Sequence, residues 1–372
     1  MSSPATETEL SEKVAGAKGP LRVVGGGTRP VGRPVAGELV SVKGLAGIDL
    51  YEPGALTLVA KAGTPLAEVE GALAAEGQRL PFEPMDHRAL LGTSGDPTIG
   101  GVVAANVSGP RRIQSGACRD SLIGVRFVDG SGAVVKNGGR VMKNVTGYDL
   151  VKLMAGSWGT LGILTEVAFK VLPAPEAAAT LAIGGLGDRQ AVEAMAVGLG
   201  SPFEVTGAAH LPDEGRTLLR IEGFAASVAY RAGRLAELLA PFGTVEVEDG
   251  ADQVGQQWAR IRDVAAFVGR PGDVWRISVK PTDAPDLAAR TGGDVLFDWG
   301  GGLIWALVPE GTDLRARLGA FAGHATLVRA SAETRARIAP FHPEPPPVAA
   351  VAAALKAKFD PRGILNPGLM TA

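Results

Sequence analysis

The chain has 372 residues, 46% of them apolar, which is more than one hydrophobic core usually serves, so two domains are expected. Its 37 basic and 39 acidic side chains leave a formal charge of -2, which gives no field arguing for nucleic acid or an anionic membrane surface. The single cysteine, Cys118, excludes an internal disulfide and an iron-sulfur cluster, which takes about four thiolates, so electrons leaving this chain need another carrier.

The first residues, MSSPATETELSEKVAGAKG, lack the basic and apolar regions of a signal peptide, and a cytoplasmic location is expected. No apolar run approaches the roughly 20 residues of a membrane helix, the stretch from Gly300 to Pro309 being too short, so membrane contact would come only through partners. Thr6 to Glu9 fits a capping box opening a helix with Leu10, Val14 and Ala17 inward and Gly19-Pro20 as its stop. Leu21 to Val24 reads as a buried strand running into a glycine loop, and Thr57 to Lys61 as a second strand. Thr64 is expected to cap a helix with Pro65 at its first position, Leu66, Val69 and Leu73 inward, and Gly77 after its end.

Val125 to Val128 and Ala133 to Lys136 flank Asp129-Gly130-Ser131-Gly132 as a hairpin, and Tyr148 to Met154 suggests a short helix. Leu164 to Leu172 alternates as a strand closing the first domain, after which Pro173-Ala174-Pro175 marks a boundary. Beyond it, Leu218 to Ile221, Val274 to Val279 and Leu303 to Leu307 read as strands of an antiparallel sheet, with a helix near Ser227 to Leu239. A proline cluster, Pro343 to Pro347, precedes a last helix carrying Val351, Leu355 and Phe359. The fold class is α+β, with residues 1–173 as a first domain, 174–342 as a second and 343–372 as a C-terminal segment.

Gly25-Gly26-Gly27-Thr28-Arg29-Pro30-Val31-Gly32 follows a strand, but Pro30 stands where a dinucleotide fingerprint needs its third glycine, and no Gly-Lys-Ser/Thr follows. What remains is a run free to take positive φ and aim successive backbone N–H groups at an anion, or an ordinary glycine turn. The segment from Thr93 to Gly101, continuing through Ala104, Ala105 and Asn106 to Ser108-Gly109, is built of small residues on which a flat ring or a phosphate can lie. A tight helix contact is the alternative. The third segment runs from Gly147-Tyr148-Asp149-Leu150 to Gly156-Ser157-Trp158-Gly159-Thr160-Leu161-Gly162-Ile163-Leu164.

In this order the three segments resemble the FAD-binding domain of the vanillyl-alcohol-oxidase and p-cresol-methylhydroxylase (PCMH) superfamily, and Phe359-Asp360-Pro361-Arg362-Gly363-Ile364-Leu365-Asn366-Pro367-Gly368 is similar to its common ending. Ser108-Gly109-Pro110-Arg111-Arg112, Gly116 to Asp120 and Val141 to Leu150 look most like the flavin subunits of glycolate oxidases. The resemblance implies a PCMH-type FAD-binding domain of two subdomains, a second α+β cap domain on an antiparallel sheet that faces substrate or a partner, and a tail returning to the first domain. It implies that Gly25, Gly26, Gly27, Thr28 and Gly32 hold the FAD pyrophosphate. Thr98, Gly100 and Gly101 would lie along it, Ile163 would meet the adenosine end, and Pro97, Ser108, Gly109, Gly116, Gly162 and Asn366 would complete the cofactor site. FAD would be noncovalent, since no histidine occupies the glycine loop and a small buried thiol is the expected state of Cys118.

The implied activity is oxidation of glycolate to glyoxylate within a complex. Its partners would be a larger FAD-linked oxidase subunit and an iron-sulfur subunit, peripheral at the inner membrane. The chain departs from single-chain 2-hydroxy-acid oxidising relatives: it lacks their His-x-Gly-Asp-Gly-Asn motif, Trp158 stands where they carry a glutamate, and His87, His210, His324 and His342 are scattered. No metal is expected, and the catalytic residues are left open. Arg111, Arg112, Lys143 and Tyr148 are the candidates for binding a substrate carboxylate or moving its hydroxyl proton. A non-catalytic scaffold subunit and a free-standing flavin-dependent alcohol oxidase are the alternatives.

Overall fold

The computed structural model describes residues 2–139 and 147–371. Helix Glu7–Ala15 is capped as its sequence suggests: Thr6 Oγ1 accepts from the Glu9 amide at 3.2 Å. The reciprocal bond slips one residue, Glu9 accepting from the amide of Ala5 at 2.8 Å rather than from Thr6. Leu10 and Val14 pack with Leu21, Val40, Val128, Ile163, Ile364 and Leu365, a small core that draws the N-terminal helix, the strand before the glycine loop and the C-terminal tail together. That strand, Leu21–Val24, runs parallel to Glu38–Ser41.

The first large sheet has the order Ile48–Glu52, Thr57–Lys61, Gly162–Lys170, Leu122–Asp129, Val134–Gly138. Asp129 closes the last hairpin by accepting from the amides of Ser131 and Ala133 at 2.8 and 3.0 Å. Thr64 does not cap the following helix, Leu66–Ala75. Its hydroxyl donates to the Lys61 carbonyl at 2.7 Å, and the Leu66 amide is met instead by the carbonyl of Pro97 at 2.7 Å. The helix therefore starts against the small-residue segment, which itself contains a helix, Ile99–Ala104, capped by Thr98.

The second sheet has eight strands in the order Val245–Asp249, Ala177–Gly184, Arg216–Gly223, Gly207–Leu211, Asp294–Asp298, Leu303–Val308, Asp273–Val279, Gly323–Arg329, with antiparallel pairing throughout. Period-two alternation splits its apolar residues between two faces. Leu181, Leu219, Trp275 and Ile277 pack with helices Asp188–Leu199, Ala225–Leu239 and Ala284–Thr291. Leu218, Val274, Leu303 and Trp305 face the other way, into a core shared with Leu58, Phe82, Phe127, Val167 and Phe169 of the first sheet. The last helix, Pro346–Phe359, departs from its expected inward stripe: Val351 is 61% exposed, and only its final turn packs, Phe359 lying 6.1 Å from Phe127 between ring centres.

Where the two sheets meet, Glu222 accepts from Arg79 at 2.6 Å, from Arg111 at 2.5 Å and from the Thr206 hydroxyl at 2.6 Å. Arg220 forms a fork to Glu83, both bonds 2.9 Å, and lies over the ring of Trp258. Burial opposes the charge on Glu222, but Arg220, Arg111, Arg79 and the Thr206 bond outweigh it and hold the carboxyl down at about 2. A carboxyl lowered on folding stabilises above its ordinary range near 4.5, and that contribution is lost as pH falls from there toward about 2. Removing one member of such a buried network costs about 3–5 kcal/mol, because its partners keep their unpaired charges. Glu222→Gln is expected to lose stability of that order in urea unfolding at pH 7, with the difference from the parent protein shrinking below pH 4.5. A difference independent of pH would show that charge at Glu222 does not join the sheets.

Candidate functional site

Beyond Val24 the chain turns through Gly25, Gly26 and Gly27 into a cleft of about 400 Å³. The amides of Gly26, Gly27, Thr28 and Arg29 donate to no protein acceptor among the described residues. Four successive unpaired N–H groups on one loop form a concave donor array suited to an anion. Each glycine is required for a different reason. A Cβ on Gly25 would stand 2.3 Å from Thr98 Oγ1, and one on Gly26 would stand 1.8 Å from the Asp96 carbonyl oxygen. Gly27 has φ +71° and no atom within 4 Å of where its Cβ would be, so the space beside it belongs to the cleft and not to the protein.

Arg29 adds a cation. It donates to Nδ1 of His87 at 3.1 Å and to the Gly101 carbonyl at 3.0 Å, and forms no ion pair among the described residues. Burial lowers its guanidinium to about 10, with Asp86 opposing. Burial first, then the charge of Arg29, keeps His87 well below its ordinary range, so its neutral ring accepts from Arg29. The lining also includes apolar Val42, Ala62, Ile163 and Leu164, together with Trp158 and Arg335. Asn366 ties the cleft shut from behind, accepting from the Val23 amide at 2.8 Å and donating to the Trp158 carbonyl at 2.9 Å.

Gly25, Gly26, Gly27, Thr28, Gly32, Gly100, Gly101, Gly162, Ile163 and Asn366 thus converge on one cleft. Pro97 and Thr98 lie directly behind the loop: Pro97 N would be 3.2 Å from a Gly26 Cβ, and Thr98 Oγ1 accepts from the Gly101 amide at 3.2 Å. Ser108, Gly109 and Gly116 stand outside the lining. Ser108 Oγ accepts from the Cys118 amide at 3.0 Å, Gly109 donates to the Phe82 carbonyl at 2.8 Å, and Gly116 ends a short helix beside Asp120.

The four residues proposed for substrate chemistry separate. Arg111 is buried in the Glu222 cluster and is not available to a ligand. Tyr148 is 89% exposed at the surface. Lys143, with the rest of 140–146, lies outside the described residues. Arg112 is half-buried, forms no side-chain hydrogen bond or ion pair among the described residues, and stacks on Trp299 at 4.5 Å. Sequence reasoning missed Arg276, 4.9 Å from the same ring, because a lone arginine in an alternating strand has no motif around it. It also missed Arg29 and His87, which neighbour the glycine segments and are joined only by the fold.

The family described as FAD binding domain matches residues 2–138. The Escherichia coli glycolate oxidase subunit GlcE is 37% identical over 358 residues, covering 95% of this chain and 93% of that one. This chain belongs to the GlcE family. The Bacillus subtilis glycolate oxidase subunit GlcD is 45% identical over 84 residues, which are 23% of this chain and 18% of that one. In solved structures, alkyldihydroxyacetonephosphate synthase superposes with a TM-score of 0.70 at 16% identity, over 98% of this chain and 76% of that one, so the two share a fold.

The residues present fit FAD: unpaired amides and a cation for a pyrophosphate, and an apolar wall for a ring system. Gly27→Val separates ligand from fold. Forcing a side chain into the left-handed region costs on the order of 1–2 kcal/mol, and nothing in the protein is displaced. The variant is expected to keep its circular dichroism with a modest fall in melting temperature while losing most of its bound FAD. Full FAD occupancy in the folded variant would refute the assignment of this loop.

Proposed function

We propose that this chain is the FAD-holding subunit of a complex that oxidises glycolate to glyoxylate. The observation that carries the reading is the unpaired amide array of residues 26–29 beside Arg29, in a chain related over nearly its whole length to a glycolate oxidase subunit. The amides of Gly26, Gly27, Thr28 and Arg29 hold the pyrophosphate. Gly100 and Gly101, backed by Pro97 and Thr98, form its floor. Gly162 and Ile163 take the adenosine end, and Asn366 fixes the loop's approach. Ser108, Gly109 and Gly116 contribute at one remove, setting the path of the segment between the cleft and Cys118. FAD, when bound, supplies the two-electron chemistry that no side chain here performs.

In the same reading, residues 1–173 and 343–372 form the cofactor-holding part, and 174–342 form the cap that faces substrate and partner. Electrons pass to a larger FAD-linked oxidase subunit and an iron-sulfur subunit, since Cys118 alone builds no cluster. Among the described residues no helix is long and apolar enough to cross a membrane, so the complex meets the inner membrane through those partners. A non-catalytic scaffold role is the second reading, favoured by Trp158 in the cleft lining in place of a carboxylate.

Attachment of FAD is noncovalent in this proposal. Cys118 is sealed in the core with its thiol pushed up by burial, and His87 already accepts from Arg29. Acid precipitation of the purified yellow protein is expected to leave the colour in the supernatant; flavin fixed to the pellet would contradict it. Dye reduction driven by glycolate is expected only when the partner subunits are co-purified. Sustained turnover by the isolated chain would replace the complex with a free-standing oxidase.

A further inference from the structure

Arg112 and Arg276 come from distant parts of the chain and stack on the same indole, at 4.5 and 4.9 Å from the ring centre of Trp299. That ring is held at two points. Its N–H donates to the Gly109 carbonyl at 3.0 Å, and its backbone amide donates to Asp298 Oδ1 at 2.7 Å, with Trp299 in a left-handed conformation at φ +54°. Arg276 projects from strand Asp273–Val279 toward the first sheet, on the face shared with its cross-strand neighbours Trp305 and Thr326. Arg112 opens the short helix Arg112–Ser115.

Neither guanidinium makes a hydrogen bond or ion pair among the described residues. Other arginines of the interior do: Arg111 and Arg220 hold glutamates, while Arg231 and Arg329 are spent on backbone carbonyls. The carboxyls that act on the pair are Asp120, toward Arg112, and Asp298, toward Arg276; Asp298 is pushed up to about 7 by burial and already accepts from Trp299, so it offsets Arg276 only in part. Two like charges set on one ring and shielded from water repel each other, and the indole face returns only part of that cost. Both side chains keep some accessible surface, so an anion can reach them. Arg276 adds to the lowering of His87, which accepts from the cleft residue Arg29. His324 is lowered first by burial and then by Arg276, His342 and Arg112.

We propose that Arg112 and Arg276, presented by Trp299, form the carboxylate-binding end of the substrate site and take the carboxylate of a small 2-hydroxy acid. Planar guanidiniums match a carboxylate's two oxygens and leave its hydroxyl carbon free to face the cleft. The assignment rests on the FAD reading for its orientation and gives this chain a substrate contact that a scaffold subunit would lack.

The test is calorimetric titration of the full-length chain with oxalate, which carries the carboxylate and no oxidisable hydrogen, and with ethylene glycol, which lacks the carboxylate. FAD content is read from the visible spectrum of every sample. The parent protein is expected to bind oxalate at one site and ethylene glycol not at all. Arg112→Met and Arg276→Met are each expected to weaken oxalate by about tenfold or more with FAD content unchanged, the loss of a charge-assisted contact. Arg234→Met, at an exposed pair with Glu237, is expected to change nothing. Should Arg276→Met not fold, Arg112→Met decides, since Arg112 lies on a four-residue helix outside both sheets. No oxalate binding by the FAD-loaded parent, or parent-like affinity in the folded double variant, overturns the assignment. A parent protein without FAD that still binds oxalate through this pair would defeat the cofactor reading and leave the anion site standing.

Discussion

Glu222 carries a negative charge into a place from which water is nearly excluded, and it is tolerated there because Arg79, Arg111 and Arg220 close around it. The cluster is a docking device as well as an ion network. Arg79, Glu83 and Arg111 belong to the segments beside the first sheet, while Arg220 and Glu222 lie on one strand of the second. A sliding of either sheet would leave a buried charge without its partner, which is far costlier than an imperfect apolar contact. The neighbours Arg111 and Arg112 show the consequence: the first is consumed in the joint, and the second is turned toward Trp299. Gly109, just before them, bonds the Trp299 ring and has Glu83 O 2.3 Å from where a Cβ would be. The joint and the anion-facing residues are therefore set by one short stretch of chain.

The cofactor cleft depends on a different constraint, the absence of side chains. Gly25 and Gly26 press against Thr98 and Asp96 so closely that the loop has one path, and that path leaves its amides pointing outward. The C-terminal tail secures it. Asp360 accepts from the amides of Ile364 and Leu365 at 3.1 and 2.9 Å, Arg362 donates to the Val14 and Ala15 carbonyls at the end of the N-terminal helix and to Ala17 just beyond it, and Asn366 accepts from the Val23 amide. Each polar residue of that ending thus has a mechanical task, and residues some 340 positions apart define one loop.

Much of this was legible in the sequence, and the parts that were not share a cause. Strands such as Thr57–Lys61 and Val274 to Val279 announced themselves by alternation or β-branched runs, and the glycine segments by composition and order. The helical cap at Thr6 was readable because its partners lie within four residues. Thr64 carried the same local signal and was drawn instead to Gly47 and Lys61, contacts that only the tertiary fold supplies. The arginines show the limit most clearly. Arg111 and Arg112 are adjacent and chemically identical, and nothing local says that one meets Glu222 and the other Trp299. Arg276 sits in a strand whose pattern speaks only of burial. Long-range ion pairing decides which cations remain free, and it leaves no period in the sequence.

On the proposed readings the chain offers two anion-binding surfaces built from different materials, and the difference follows from what each would hold. Backbone amides carry no net charge, so a cradle made of them stays inexpensive to solvate when empty and is rigid when filled, which suits a cofactor bound for the life of the protein. Guanidiniums on an indole ring are full charges whose repulsion is relieved only while an anion is present. Such a site favours a carboxylate over an uncharged analogue of the same size, and it keeps a standing bias toward capture from dilute solution. Because Arg112 enters from the side of the first sheet and Arg276 from the second, the carboxylate would be held across the seam that Glu222 locks. Substrate binding and domain docking would then draw on the same interface, and a loosened joint would weaken capture before it unfolded the protein.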